Sequence, residues 1–202
     1  MRSKTVKLLK QKLRTNLRDY YAVQWSDELL DWIIFEAQRE YALYSGSLRG
    51  EYICQVGDDS LCKLPEDFFQ VIRIIDMQGR VIPVESYRVL ADKYGKFIAR
   101  KGDTLQSVCL DFDSLKSLRT YPVLPVGSTV GKLYYKRLPK KGVFEVNNLE
   151  AIEQHALYQM YQFIGKNQSQ IAFGNFLSLV HKEQQLELAS GNSNMRRTGV
   201  YY

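Results

Sequence analysis

Cysteine is scarce in this chain: Cys54, Cys62 and Cys109 are the only three in 202 residues. So small and odd a number excludes a disulfide framework. The three read as reduced, packed thiols of a cytosolic protein rather than as a metal cluster. Histidine is scarcer still, with His155 and His181 alone. Each lies near an acid (Glu153, Glu183) on a predicted helix, but without a third ligand or an HExxH spacing they make no zinc site. Nor is there an apolar run of about 18 residues that would span a bilayer. The start from Lys4 to Lys12 alternates lysine with apolar residues and lacks the continuous apolar stretch of a secretory signal. Neither GxxxxGK[ST] nor GxGxxG occurs, and there is no serine elbow. Asp58-Asp59 and Glu66-Asp67 invite comparison with a two-metal nuclease, whose carboxylates must converge on paired ions. The first pair reads as a turn, and the second follows Pro65, where a turn favours acids. No enzyme activity is expected, and no catalytic, cofactor-binding or metal-ligating residue is assigned.

What is present is an ordinary soluble composition, with 45% hydrophobic and 25% charged residues. The length allows one domain or two small ones with a full core. The formal charge of +6 is unevenly placed. Arg2, Lys4, Lys7, Lys10, Lys12, Arg14 and Arg18 face a single acid, Asp19, within the first twenty residues. Such a stripe suits phosphate neutralisation, a solvated helix face, or docking on an acidic protein surface. A DNA-binding module using Lys4, Lys7, Lys10 and Arg14 is therefore the alternative function to weigh.

The hydrophobic period changes twice along the chain. Val6, Leu9, Leu13, Leu17 and Tyr20 step by three and four, predicting a first helix. Ser26 is a good N-cap, with Asp27 and Glu28 favoured in the first turn of a second helix. That helix turns Leu29, Ile33, Ile34, Ala37 and Tyr41 inward. Trp32 and Tyr44 fall partly off this stripe, which marks them as candidate contacts with another subunit. From residue 47 to 147 short β-rich runs alternate with turns: Glu51–Gln55, Gln70–Met77, Arg80–Val84, Ser107–Phe112 and Gly131–Arg137. Gln78-Gly79 predicts a hairpin, residues 85–92 a short helix, and Tyr121 to Gly127 an extended loop. Helical spacing returns after Asn148 with Leu149, Ile152, Ala156, Met160 and Phe163. Beyond the turn Gly165-Lys166-Asn167 come Ala172, Phe173, Phe176, Leu177 and Val180. The expected fold class is α+β: an antiparallel helical bundle built from both chain ends, residues 1–46 and 148–191, with a β-rich domain, 47–147, inserted between its second and third helices.

Residues 192–202 form a polar tail without core-forming period, closing on Val200-Tyr201-Tyr202. Ordering such a tail costs about 1–2 kcal/mol per backbone residue. Arg196, Arg197, Val200, Tyr201 and Tyr202 are therefore expected to be held by a partner, for example by strand addition to its sheet. Fourteen tyrosines spread over every segment also suit protein interfaces, where the ring packs and the hydroxyl stays satisfied.

The order of parts resembles the head-to-tail adaptor of short-tailed bacteriophages, the tail tubular protein A type, also called gatekeeper or ring protein. The resemblance rests on Leu29-Leu30-Asp31-Trp32-Ile33 with Ala37-Gln38-Arg39-Glu40. It continues through Leu64-Pro65-Glu66-Asp67-Phe68 before Val71-Ile72-Arg73, and through Ile82-Pro83-Val84. Leu133-Tyr134-Tyr135-Lys136-Arg137-Leu138-Pro139 and the two closing helices complete it. These motifs are short, but together they cover most of residues 15–190. The resemblance implies a virion protein, assembled in the host cytoplasm, that forms a closed ring of about twelve copies below the portal. Its bundle would face the portal and its β-rich part the tail. Implied partners are copies of itself, the portal protein, the next tail or nozzle protein and, non-specifically, genomic DNA in the channel. No membrane or cofactor is implied. On this reading Lys4, Lys7, Lys10 and Arg14 join the tail residues in meeting the portal.

Overall fold

The computed structural model describes residues 2–95, 100–110 and 116–189. It is an α+β protein with helices α1 (Arg2–Leu17), α2 (Asp27–Ser45), α3 (Tyr87–Tyr94), α4 (Leu149–Phe163) and α5 (Gln168–Ala189). Seven strands lie between α2 and α4: β1 (Arg49–Gln55), β2 (Leu61–Lys63), β3 (Phe68–Ile75), β4 (Val81–Ile82), β5 (Ser107–Leu110), β6 (Ser117–Tyr121) and β7 (Thr129–Arg137). The chain divides into two compact units. Of the described residues, one takes those up to Leu48 and from Leu138 to Ala189; the other spans Arg49–Arg137.

In the helical unit, local chemistry sets the helix ends. α1 stops where Arg18 adopts a positive φ of 59°. The Ser26 hydroxyl accepts from the Leu29 N–H at 3.2 Å and caps α2. Gly46 ends α2 in the left-handed region, its N–H returning to the Ala42 carbonyl at 2.9 Å. The Asn148 side chain accepts from the Ala151 N–H at 3.1 Å and starts α4. Helices from both chain ends bury a single cluster. Leu9 and Leu13 come from α1, Leu30, Ile33, Ile34, Ala37 and Tyr41 from α2, Ile152, Ala156 and Met160 from α4, and Ala172, Phe176 and Val180 from α5. Each fully buried leucine or isoleucine contributes about 1.5–3 kcal/mol. Three residues depart from the predicted stripes, among them Leu177 of α5, which is exposed. Tyr20 lies beyond the end of α1 and is exposed, and Phe163, at the last position of α4, is 82% exposed.

Asp19 and Gln38, two of the buried polar side chains of this unit, fix its connections. Asp19 organises the connection from α1 to α2 by accepting from the N–H groups of Val23 (2.9 Å), Gln24 (3.2 Å) and Trp25 (3.1 Å). Burial alone would raise its pKa. These backbone donors and the Arg14 guanidinium outweigh that effect and hold the carboxyl below its ordinary value. Gln38, 105 to 108 residues away from its partners, holds the segment that returns to α4. Its Nε2 donates to the Val143 carbonyl at 2.9 Å, while its Oε1 accepts from Glu145 N–H at 2.5 Å and Val146 N–H at 3.2 Å.

The β unit contains two antiparallel sheets, β1-β7-β3-β4 and β2-β6-β5. Side chains from both fill one core, among them Cys54, Cys62, Ile74, Val108, Leu118, Leu133 and Tyr135. Asp76 pins the β3–β4 hairpin by accepting from Gln78 N–H (2.9 Å) and Arg80 N–H (2.8 Å), with Gly79 at φ 82°. Gly131 is required on β7, because a Cβ there would lie 2.3 Å from the Ile75 carbonyl oxygen. α3, capped by Ser86, buries Leu90 with Cys109 and Tyr121. β2 and β6 are additions to the predicted strands. β2 has only three residues, and β6 alternates polar and apolar residues yet buries Ser117 and Thr120.

Candidate functional site

The residues singled out from the sequence fall into distinct environments. Along α1, Lys4 and Lys7 are exposed and make no ion pair among the described residues. Lys10 and Arg14 are instead committed internally. Lys10 Nζ pairs with Asp31 at 2.8 Å and lies 3.8 Å from Asp27. Arg14 reaches Asp27 at 2.8 Å and Asp19 at 3.1 Å, and donates to the Trp25 carbonyl at 2.8 Å. Their side chains are only 15% and 14% exposed. Lys12 pairs with Glu153 of α4 at 3.0 Å. Lys10, Lys12 and Arg14 thus fasten helices together, while Lys4 and Lys7 stay on the surface of the first half of α1. Sequence periodicity could not show this, since Asp27 and Asp31 reach α1 only through the Asp19-centred connection.

Beside Lys7 an open groove of about 700 Å³ runs along α1 and α2, lined by Val6, Ile34, Phe35, Val143 and Phe144, with Lys10, Asp27 and Asp31 at its polar edge. Trp32 is 58% exposed on α2. Tyr44 is 46% exposed, packs edge-on against Phe176 with ring centroids 5.6 Å apart, and accepts at its carbonyl from Gln184 of α5 at 2.7 Å. Tyr41 donates to the Glu183 carboxylate, which also accepts from Asn148 at 2.9 Å, so one acid ties α2, the start of α4 and α5. Burial and that carboxylate both raise the Tyr41 pKa. Arg196, Arg197, Val200, Tyr201 and Tyr202 lie outside the described residues.

The groups weighed for catalysis do not converge. His155 is 3% exposed, boxed by Tyr158, Phe173 and Phe176, and burial pushes its pKa down to about 4. His181 is exposed and faces Gln185. Asp59 accepts from Leu61 N–H within its turn, and Asp67 accepts from the Tyr135 hydroxyl at 3.0 Å. All three cysteines are buried thiols, and burial pushes Cys54 and Cys62 up to about 12. Among the described residues no three His, Cys, Asp or Glu side chains form a metal-sized cluster. No described helix is long and apolar enough to cross a membrane.

Trp32, Tyr44, Lys4 and Lys7 thus lie on the surface of this α+β scaffold, while His155, Cys54 and Cys62 are taken up in its packing. A family model described as SU10 adaptor protein matches residues 4–199, and the chain belongs to that family. It is a bacteriophage adaptor, a structural component of the virion that interacts with other phage head and tail proteins, in a family that is not an enzyme class. Comparison with curated proteins gives no match.

Proposed function

We propose that this adaptor is a head-to-tail connector of the tail tubular protein A or gatekeeper type. Copies close into a ring of about twelve below the portal, since a repeated head-to-tail interface forms a closed ring when its rotation permits. The ring extends the DNA channel and gives the next tail protein its docking surface. In this reading the helical unit faces the portal through Lys4, Lys7, Lys10, Arg14 and the C-terminal residues Arg196, Arg197, Val200, Tyr201 and Tyr202. The β-rich part faces the tail, and Trp32 and Tyr44 lie between neighbouring subunits.

The observation that carries the proposal is the family match over nearly the whole chain. The helical unit leaves Leu8, Trp32, Tyr44, Ile171 and Leu186 exposed, apolar side chains that contacts with neighbouring subunits or the portal would cover. The internal pairing of Lys10 and Arg14 leaves Lys4 and Lys7 as the freer cations for a portal contact. Mixing the purified chain with portal particles tests the proposal. Saturable binding as a ring supports it. A chain that stays monomeric and leaves portal particles bare refutes it.

A further inference from the structure

The outward face of the four-stranded sheet presents a compact cationic array. Strand register places its side chains in three rows across β1, β7 and β3: Arg49, Lys136 and Gln70; Glu51, Tyr134 and Arg73; Ile53, Lys132 and Ile75. The opposite face supplies Cys54, Leu133, Tyr135 and Ile74 to the core. The outward set is therefore the solvent side of the sheet. Four cations meet one carboxylate there, and that carboxylate, Glu51, pairs with Lys132.

Tyr134 lies at the middle of the array. The Arg73 guanidinium carbon stands 4.7 Å from its ring centroid and the Lys132 ammonium 5.2 Å, both within cation–π range. Arg73 has no carboxylate partner among the described residues, and its Nε makes no hydrogen bond there. Lys136 likewise has no carboxylate partner among them. Arg73 and Lys136 thus face no neutralising carboxylate among the described residues, and the Tyr134 ring holds Arg73 in place. Lys132 and Lys136 are four residues apart on β7, about 13 Å, and adjacent strands stand about 4.8 Å away on either side. A shallow cleft lined by Arg49, Gly50, Glu51, Ile72 and Tyr134 opens on the same face.

We propose that this sheet face tracks the phosphate backbone of duplex DNA without reading sequence. Extended rows of cations on a flat strand surface match a continuous line of phosphates. Lysine and arginine side chains standing on strands reach phosphate oxygens, contacts that position a protein on a duplex without carrying sequence information. A protein partner would favour an apolar centre depleted of charge, whereas here the centre is an arginine and a lysine over a tyrosine. The proposal rests on the channel reading given above, which supplies the DNA. Engaging three or four phosphates gives a salt slope of about −2.7 to −3.6, weak enough for DNA to slide past.

The test is fluorescence anisotropy of the full chain with two labelled duplexes of unrelated sequence, over about 50–200 mM salt. The wild type is expected to bind both alike with the slope above. The variant Arg73→Gln/Lys132→Gln/Lys136→Gln should lose about three units of slope and at least about tenfold in affinity. Lys166→Gln/Lys182→Gln, exposed on the helical unit, should bind as wild type. Lys136→Gln alone, a change at a side chain without a carboxylate partner, should lower the slope by about one even if the triple variant fails to fold. Absence of DNA binding, equal binding by the sheet variants, or preferential binding of an acidic polypeptide would overturn the proposal. Ring formation, measured on the same samples, separates the two ideas. Rings that ignore DNA refute this inference alone, and DNA binding without rings refutes the connector reading alone.

Discussion

Replacing Gln38 by leucine should cost the helical unit about 3–5 kcal/mol. The side chain makes three hydrogen bonds to the returning segment, each with a net value of about 1 kcal/mol. Val146 is buried, so its N–H would be left without water, a penalty of about 1–3 kcal/mol. Val143 and Glu145 are half-buried, and water reaches their freed groups at little cost. The new apolar side chain returns about 1 kcal/mol through burial. The net loss lowers the melting temperature by about 6–20 °C for a chain of this size. Urea unfolding followed by tryptophan fluorescence is the assay, because Trp25 and Trp32 both belong to the helical unit. Gln38→Glu gives an internal check. It keeps an acceptor for Glu145 and Val146, sets a second carboxylate oxygen against the Val143 carbonyl, and should regain stability as the pH falls and the new carboxyl protonates. A Gln38→Leu variant within about 0.5 kcal/mol of wild type would refute the reasoning.

Two further outcomes follow from the same coordinates. His155 has a folded-state pKa of about 4 against 6.5 in the unfolded chain, so folding favours its neutral form. Its contribution is therefore intact above pH 6.5 and is lost as the pH falls toward 4, on the order of 2–3 kcal/mol. His155→Phe should remove that portion of the acid sensitivity, read as a flatter plot of unfolding free energy against pH; an unchanged slope would contradict the assignment. Trp32→Ala should leave the monomer's melting temperature nearly unchanged but weaken self-association. With 58% of the side chain exposed, the area at stake is at most about 140 Å², or about 3 kcal/mol and roughly a hundredfold in subunit affinity. Sedimentation equilibrium of the variant at wild-type affinity would remove Trp32 from the interface.

Much of the α+β architecture was legible because it is written locally. Ser26, with Asp27 and Glu28 behind it, marks the start of α2, and Gly46 marks its end. The 3.6-residue spacing selects Leu9, Leu13, Ile33, Ile34, Ile152, Ala156 and Met160, all of which are buried. Gln78-Gly79 forms the predicted hairpin turn, and the short helix after Glu85 is present as α3. Features set by distant partners were not legible. β2 is too short to show a period, and β6 mixes buried serine and threonine with leucine and tyrosine, so its burial depends on pairing with β2 and β5. Gln38 looks like an ordinary polar helix position until Val143–Val146 folds back onto it. Lys10 and Arg14 read as surface charge because their acids lie on another helix. The cationic sheet face escaped for the same reason: Arg49, Arg73, Lys132 and Lys136 are far apart in sequence, and strand register alone brings them together.

The most direct test of the connector account is electron cryomicroscopy of this chain assembled on its portal. The account predicts a closed ring of about twelve copies coaxial with the portal, its central opening wide enough for duplex DNA. Isolated monomers beside undecorated portals, or an open chain of subunits with no axial channel, would contradict it.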